Sequence, residues 1–193
     1  MRTGIGIADH SGWAVLVAVG GDAAAPQLIL RRRLRLVDER LPRQVYHAVA
    51  EQGRPRSLIP EVLASAAAES ERELSEAIQQ LHAEGHEARG IAIAGRPDPP
   101  PPLERILASH ALLHGAEGQL YRDALAEVAT GLGLHVRRFI GRELGLLAST
   151  TIGLEAPTIE SYVAATGKAA GPPWTVDQKR AATAAWLALA AQS

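Results

Sequence analysis

The opening segment GIGIADHSGWAVLVAV, Gly4 to Val19, places two apolar runs on either side of four polar turn-formers. In the first run the larger side chains alternate as Ile5 and Ile7, and the second is rich in valine with Trp13 at its head, so both read as strands of a sheet. Asp9, His10, Ser11 and Gly12 between them predict a hairpin, because Asp and Ser hydrogen-bond nearby backbone and Gly accepts a positive φ. QLILRRRLRLVDE then predicts a third strand, with Leu28, Leu30, Leu34 and Leu36 set among arginines.

Helical periodicity takes over from there. Pro42 to Gln52 can form a short helix, GRPRS breaks it, and IPEVLASAAAESERELSEAIQQLHAEG predicts a long amphipathic helix with the stripe Val62, Ala66, Leu74, Ile78, Leu81, closed by Gly85. ARGIAIAG reads as a strand buried on both faces, and RPDPPPP ends it because proline cannot join the ladder. A second long helix is expected from Leu103 to about Thr130, stopped by the glycines of GLGL, before the short strand HVRRFI. The tract after GRELGLLAST carries a helical segment, IESYVAAT, then a flexible GKAAGPPWT. The terminal helix VDQKRAATAAWLALAAQ follows, with Thr175 as its cap, Asp177 in its first turn, and Trp174 and Trp186 as core anchors. Strand, strand, strand, helix, strand, helix, strand, helix is the order of a mixed α/β sheet with helices on both faces. The first three strands should form an antiparallel meander, with ARGIAIAG parallel beside the first. No polar linker or repeat divides the chain, so residues 1–193 are expected to be one domain.

Composition narrows the chemistry. A net charge of −1 and a pI near 6.7 mean that no global basic field advertises nucleic acid, and any such contact needs a local patch, for which the ridge Arg31, Arg32, Arg33 is the candidate. Arg runs of this kind also serve as solvated or edge-strand devices. The absence of cysteine excludes disulfides, cysteine-type zinc sites and thiol catalysis. MRTGIGIADH lacks the long apolar core of a signal peptide and no run is long enough to span a bilayer, so the expected location is the cytoplasm. Ser11 has no nucleophile elbow around it, Gly4, Gly6 and Gly12 form no dinucleotide fingerprint, and no Walker lysine motif occurs.

Three segments, GIGIADHSGWAVLVAV, GLGLHVRRFIGREL and VDQKRAATAAWLAL, together with the order of elements, give a chain that resembles the ribonuclease H-like superfamily, nearest to the bacterial Holliday-junction resolvases. The resemblance implies a ribonuclease H-like mixed sheet. It also implies Mg²⁺- or Mn²⁺-dependent phosphodiester hydrolysis of structured nucleic acid, by carboxylates from the first strand, the fourth strand and the last helix. Asp9 matches the first of these and Asp177 the last. The fourth strand has Ala94 or Gly95 where the pattern would place a glutamate, and Arg180 stands where a second acid of the last helix would be.

The second long helix offers a replacement. In SHALLHGAEGQLYRDALAEV the residues His110, His114, Glu117 and Tyr121 fall at i, i+4, i+7 and i+11, which at about 100° per residue puts them in one stripe. Leu103, Ile106, Ala124 and Val128 project onto the same stripe, so the polar four interrupt the face expected to meet the sheet. Buried without partners they would cost roughly 1–3 kcal/mol each. They are therefore a hydrogen-bonded core network, a helix face only partly covered at the edge of the sheet, or a site in which Glu117 and one or both histidines join Asp9 there as metal ligands or acid/base groups. Two function classes stand side by side. One is a divalent-metal nuclease or phosphodiesterase with Asp9, Glu117 and Asp177 as carboxylates, His114 as helper and His110 as a further ligand; the other is a non-catalytic binding or assembly module on the same fold. A nucleotide-binding half of the actin and sugar-kinase type shares the opening hairpin, but needs a second such domain for which this chain lacks length.

Overall fold

A computed structural model describes residues 1–96 and 98–191, so Pro97 of the RPDPPPP run and Gln192 of the expected terminal helix lie outside the described residues. Five strands and seven α-helices follow one another as β1 (Arg2–His10), β2 (Trp13–Gly20), β3 (Gln27–Arg35), α1 (Val45–Glu51), α2 (Leu58–Ala83), β4 (Glu87–Ala94), α3 (Leu103–Leu107), α4 (His110–Gly131), β5 (His135–Phe139), α5 (Leu144–Ile152), α6 (Ala156–Ala170) and α7 (Val176–Ala190). The sheet order is β3-β2-β1-β4-β5. β1, β2 and β3 form the antiparallel meander, while β4 runs parallel to β1 and β5 parallel to β4. The hairpin expected at Asp9 to Gly12 is present, with Gly12 at φ 81°.

Strand alternation divides the core into two faces. On one, Ile5 and Ile7 of β1, Leu16 of β2, Leu34 of β3 and Ile91 and Ile93 of β4 pack against Val62, Leu74 and Leu81 of α2 and Leu120, Tyr121 and Leu125 of α4. On the other, Ala8, Val15, Val17 and Val19 meet Ile159 and Val163 of α6 and Ala181, Ala185, Trp186 and Leu189 of α7. The residues of β1 that face this second side are Gly4, Gly6, Ala8 and His10. A Cβ on Gly6 would overlap the Ala181 carbonyl oxygen and the Ala185 backbone nitrogen, and one on Gly4 would overlap the Ala185 carbonyl oxygen and the Leu189 nitrogen. α7 thus lies on bare strand backbone, and its alanines let it approach that closely. Its start is defined by a capping box, in which the Thr175 N–H donates to the Gln178 side chain (2.9 Å) and the Asp177 N–H donates to the Thr175 hydroxyl.

The structure departs from the sequence reading in two helical regions. The single helix expected from Leu103 to Thr130 is two helices, because Ser109 is extended (φ −139°, ψ 112°) and its carbonyl starts α4 by accepting from Leu112 and Leu113. Leu103 and Ile106 therefore do not extend the stripe of α4. The segment GKAAGPPWT is not a loose linker either. Its first four residues complete α6, with the Trp174 indole lying over Gly167 and donating to the Val163 carbonyl at 3.1 Å. The Arg31 guanidinium then satisfies the carbonyls that close the helix, those of Ala170, Gly171, Pro172 and Pro173.

Gly6→Ala should destabilise the fold by about 3 kcal/mol or more, at the upper end of overpacking costs, because the atoms it displaces are backbone. Urea unfolding checks this. A loss under about 1 kcal/mol would mean that α7 does not rest directly on β1.

Candidate functional site

Asp9, the last residue of β1 but one, lies on the same face as Ile5 and Ile7, and so points toward α4. There the Arg122 Nε–H donates to Asp9 Oδ2 at 2.8 Å, with the Asp9 side chain 7% and the Arg122 side chain 28% exposed. Two glycines make this possible. The Arg122 guanidinium lies back across Gly118, one turn earlier in α4, where any Cβ would strike it. Gly95, just beyond β4 and at φ +129°, leaves space for the Arg122 and Arg138 side chains. Arg138 of β5 in turn pairs with Asp123 at 2.7 Å, and the Gln119 amide bridges Asp123 (2.7 Å) and the Arg96 carbonyl (3.0 Å). The end of β4, where a further carboxylate would be needed, is thus occupied by guanidinium groups.

Asp177 belongs to the opposite face. From the first turn of α7 it pairs with His10 Nε2 at 3.1 Å. The His10 ring stacks on Trp13 with centroids 4.1 Å apart, and the Arg33 guanidinium lies 4.0 Å over the Trp13 ring. Arg180, one turn further along α7, is exposed and lies against Gly141. A pair of Mg²⁺ or Mn²⁺ ions needs several converging oxygen ligands. Asp9 held by Arg122 on one side of the sheet and Asp177 held by His10 on the other do not fit such a pair.

The stripe on α4 divides along its length. His110 and His114, on its first two turns, are exposed, whereas Glu117 and Tyr121 are buried. Glu117 Oε1 accepts from the backbone N–H groups of Tyr46 (2.7 Å) and His47 (3.0 Å) and faces His47 Nδ1 at 3.3 Å. It thereby supplies the first turn of α1 with the acceptor that Gln44, at the cap position, does not provide. Burial pushes the Glu117 carboxyl above the usual carboxylate range, and the bonds from His47 and Tyr46 oppose that shift. The Tyr121 hydroxyl donates to the Arg43 carbonyl at 2.8 Å, and burial, reinforced by the Glu117 charge, raises its phenol pKa. Glu117 is not drawn to Asp9 or Asp177; each of the three acids has its own protein partner.

The arginine ridge of β3 is likewise engaged internally. Alternation sends Arg31 to the end of α6 and Arg33 to Trp13, while Arg32 crosses to α2 and pairs with Glu73 (3.1 Å) and Glu76. The functional residues that sequence reasoning missed are Arg122, Arg138 and His47. Gly118 four residues before Arg122 was the only local sign that a side chain folds back there, and nothing in VYHAVAE marks His47 as the partner of a helix some seventy residues away.

No family model matches the sequence, and no curated protein matches it. The fold does have counterparts among solved structures. RuvC of Thermus thermophilus in complex with Holliday junction substrate superposes with a TM-score of 0.55 at 10% identity, over 97% of this chain and 92% of that one. A second Thermus thermophilus RuvC structure gives 0.53 at 11% identity, over 96% and 92%. The chain therefore has the ribonuclease H-like fold of the RuvC type, as its element order implied. No helix among the described residues is long and apolar enough to cross a membrane.

Removing the Glu117 acceptor should be costly. Glu117→Ala is expected to lose about 3 kcal/mol by orphaning two buried N–H groups, and Glu117→Gln, which keeps one acceptor oxygen, about half as much. The urea midpoints in the presence of a chelator decide this. Unchanged or raised stability in Glu117→Ala would remove its role as the α1 cap.

Proposed function

We propose that this chain is a non-catalytic ribonuclease H-like module that holds structured nucleic acid by its phosphate backbone at the end of the sheet. The observation that carries the reading is the Asp9–Arg122 pair, in which a guanidinium provides the counter-charge that a nuclease of this fold would take from a metal ion. An arginine in that place neutralises Asp9 without offering a Lewis acid or an activated water, and hydrolysis of a phosphodiester by this fold needs both. Beside it stand Arg138, half of an ion pair with Asp123, and Arg96, and on the other face of the sheet the exposed Lys179 and Arg180 of α7 add donors and positive charge of the kind that phosphate oxygens require, on a chain whose overall charge is balanced. The RuvC structure in complex with Holliday junction substrate makes a four-way junction the substrate to try first.

The chain should bind a four-way DNA junction with an affinity that falls steeply as salt rises, and should leave it uncut in Mg²⁺ or Mn²⁺. Arg138→Ala and Arg180→Ala should each weaken binding and lower the salt slope by about one unit. Fluorescence anisotropy and denaturing gels read both effects. Divalent-ion-dependent cleavage that Asp9→Asn abolishes would overturn the non-catalytic reading, and no binding at micromolar protein would overturn the nucleic-acid reading.

A further inference from the structure

At the outer end of α4, on the α1 side, three imidazoles meet. The His47 and His114 ring centroids are 4.6 Å apart, those of His110 and His114 4.7 Å, and those of His47 and His110 5.6 Å. Each ring offers a nitrogen, and the three nitrogens lie within 4.8 Å of one another. We propose that His47, His110 and His114 form a binding site for one divalent transition-metal ion of the Zn²⁺ class, with its fourth coordination position open to water. This site shares no residue with the proposed nucleic-acid contact.

Orientation is the strongest argument. His47 turns Nδ1 to the Glu117 carboxylate (3.3 Å), and His110 turns Nδ1 to the Glu51 carboxylate (2.7 Å). A carboxylate accepts, so each Nδ1 carries the hydrogen and each Nε2 presents a lone pair. Carboxylates holding imidazoles by the far nitrogen are the usual outer shell of a histidine–metal centre, where they fix the tautomer and raise ligand basicity. Spacing agrees: His110 Nε2 and His114 Nε2 are 3.1 Å apart, near the ~3.3 Å that separates two nitrogens bound tetrahedrally at about 2.0–2.1 Å from one ion.

A network of histidines without metal leaves a residue of polarity unexplained. A proton on His114 Nε2 can satisfy the lone pair of His110, but His47 Nε2 is buried and has no hydrogen-bond partner among the described residues. An ion seated between the rings satisfies it. Three imidazoles and no thiolate favour Zn²⁺, Co²⁺, Ni²⁺ or Cu²⁺ over the hard ions Mg²⁺ and Mn²⁺. His110 and His114 are exposed while His47 is buried, so the ion would sit with protein on one side and solvent on the other. It would also link α1 to α4, which otherwise meet here through Glu117.

The test uses the untagged full chain stripped by chelation. Co²⁺ titration followed by the visible absorption of four-coordinate Co²⁺ should show one ion per chain, displaced by Zn²⁺ and not by excess Mg²⁺, with a rise in melting temperature on Zn²⁺ binding. His114→Ala removes an exposed ligand without disturbing the core and should abolish the four-coordinate spectrum. Glu51→Gln, which leaves all three ligands in place, should weaken binding about tenfold or more. His47→Ala separates a three-histidine site from a simple surface pair: the variant should keep only weak binding without the spectrum. Stoichiometric binding that survives His114→Ala or His47→Ala, or no binding of Zn²⁺ at micromolar concentration, would overturn the proposal. None of these readouts involves nucleic acid, so they stand or fall apart from the function proposed above.

Discussion

The contact on which this fold turns is that of α7 with the bare backbone of β1. Gly4 and Gly6 let the Ala181 and Ala185 turns of α7 settle directly on the central strand, closer than any side chain would permit. Because that contact assigns one face of β1 to α7, the alternate residues Ile5 and Ile7 must take the other face, and with them the packing of α2 and α4. The position of every charged group at the sheet end follows from the same assignment. Asp9 shares the parity of Ile7 and meets α4; His10 shares that of Gly6 and meets α7.

The polar groups inside this framework tie its elements to one another. Glu117 serves the first amides of α1, Arg31 the last carbonyls of α6, and Arg122 the carboxylate of Asp9. Each answers a donor or acceptor that would otherwise be left without a partner away from bulk water. Between β3 and α2, Arg32, Arg35 and Arg72 interleave with Glu69, Glu73 and Glu76, so this edge of the sheet is charged but locally compensated.

Much of the framework was legible in the sequence because its signals are local. Alternation in GIGIADHSGWAVLVAV, the turn residues at Asp9 to Gly12, the long amphipathic repeat before Gly85 and the Thr175 cap each act within a few residues, and each appears where expected. What could not be read depends on distant partners. Ser109 breaks a helical pattern that periodicity alone would carry through, and Trp174 draws GKAA into α6 by covering Gly167. The α4 stripe was visible as four polar residues in line, but not its division into an exposed histidine pair and a buried acid, since that depends on where α1 docks. His47 and Arg122 are set by the same long-range packing.

The parity of β1 also bears on how this protein could change. A strand presents successive residues to opposite sides, so an acid at position 9 and an acid on α7 are kept apart by the thickness of the sheet. To bring a strand carboxylate beside Asp177, one would have to stand at position 8, where Ala8 is packed against Ala181 and Ala185, or at position 10, where His10 already holds Asp177. Either route must also contend with Gly95, whose backbone conformation disfavours any side chain that could reach the same point from β4. No single substitution removes all of these barriers. In the space of neighbouring sequences, the present arrangement is a basin separated from a carboxylate cluster by several simultaneous steps, so chance substitution should preserve it.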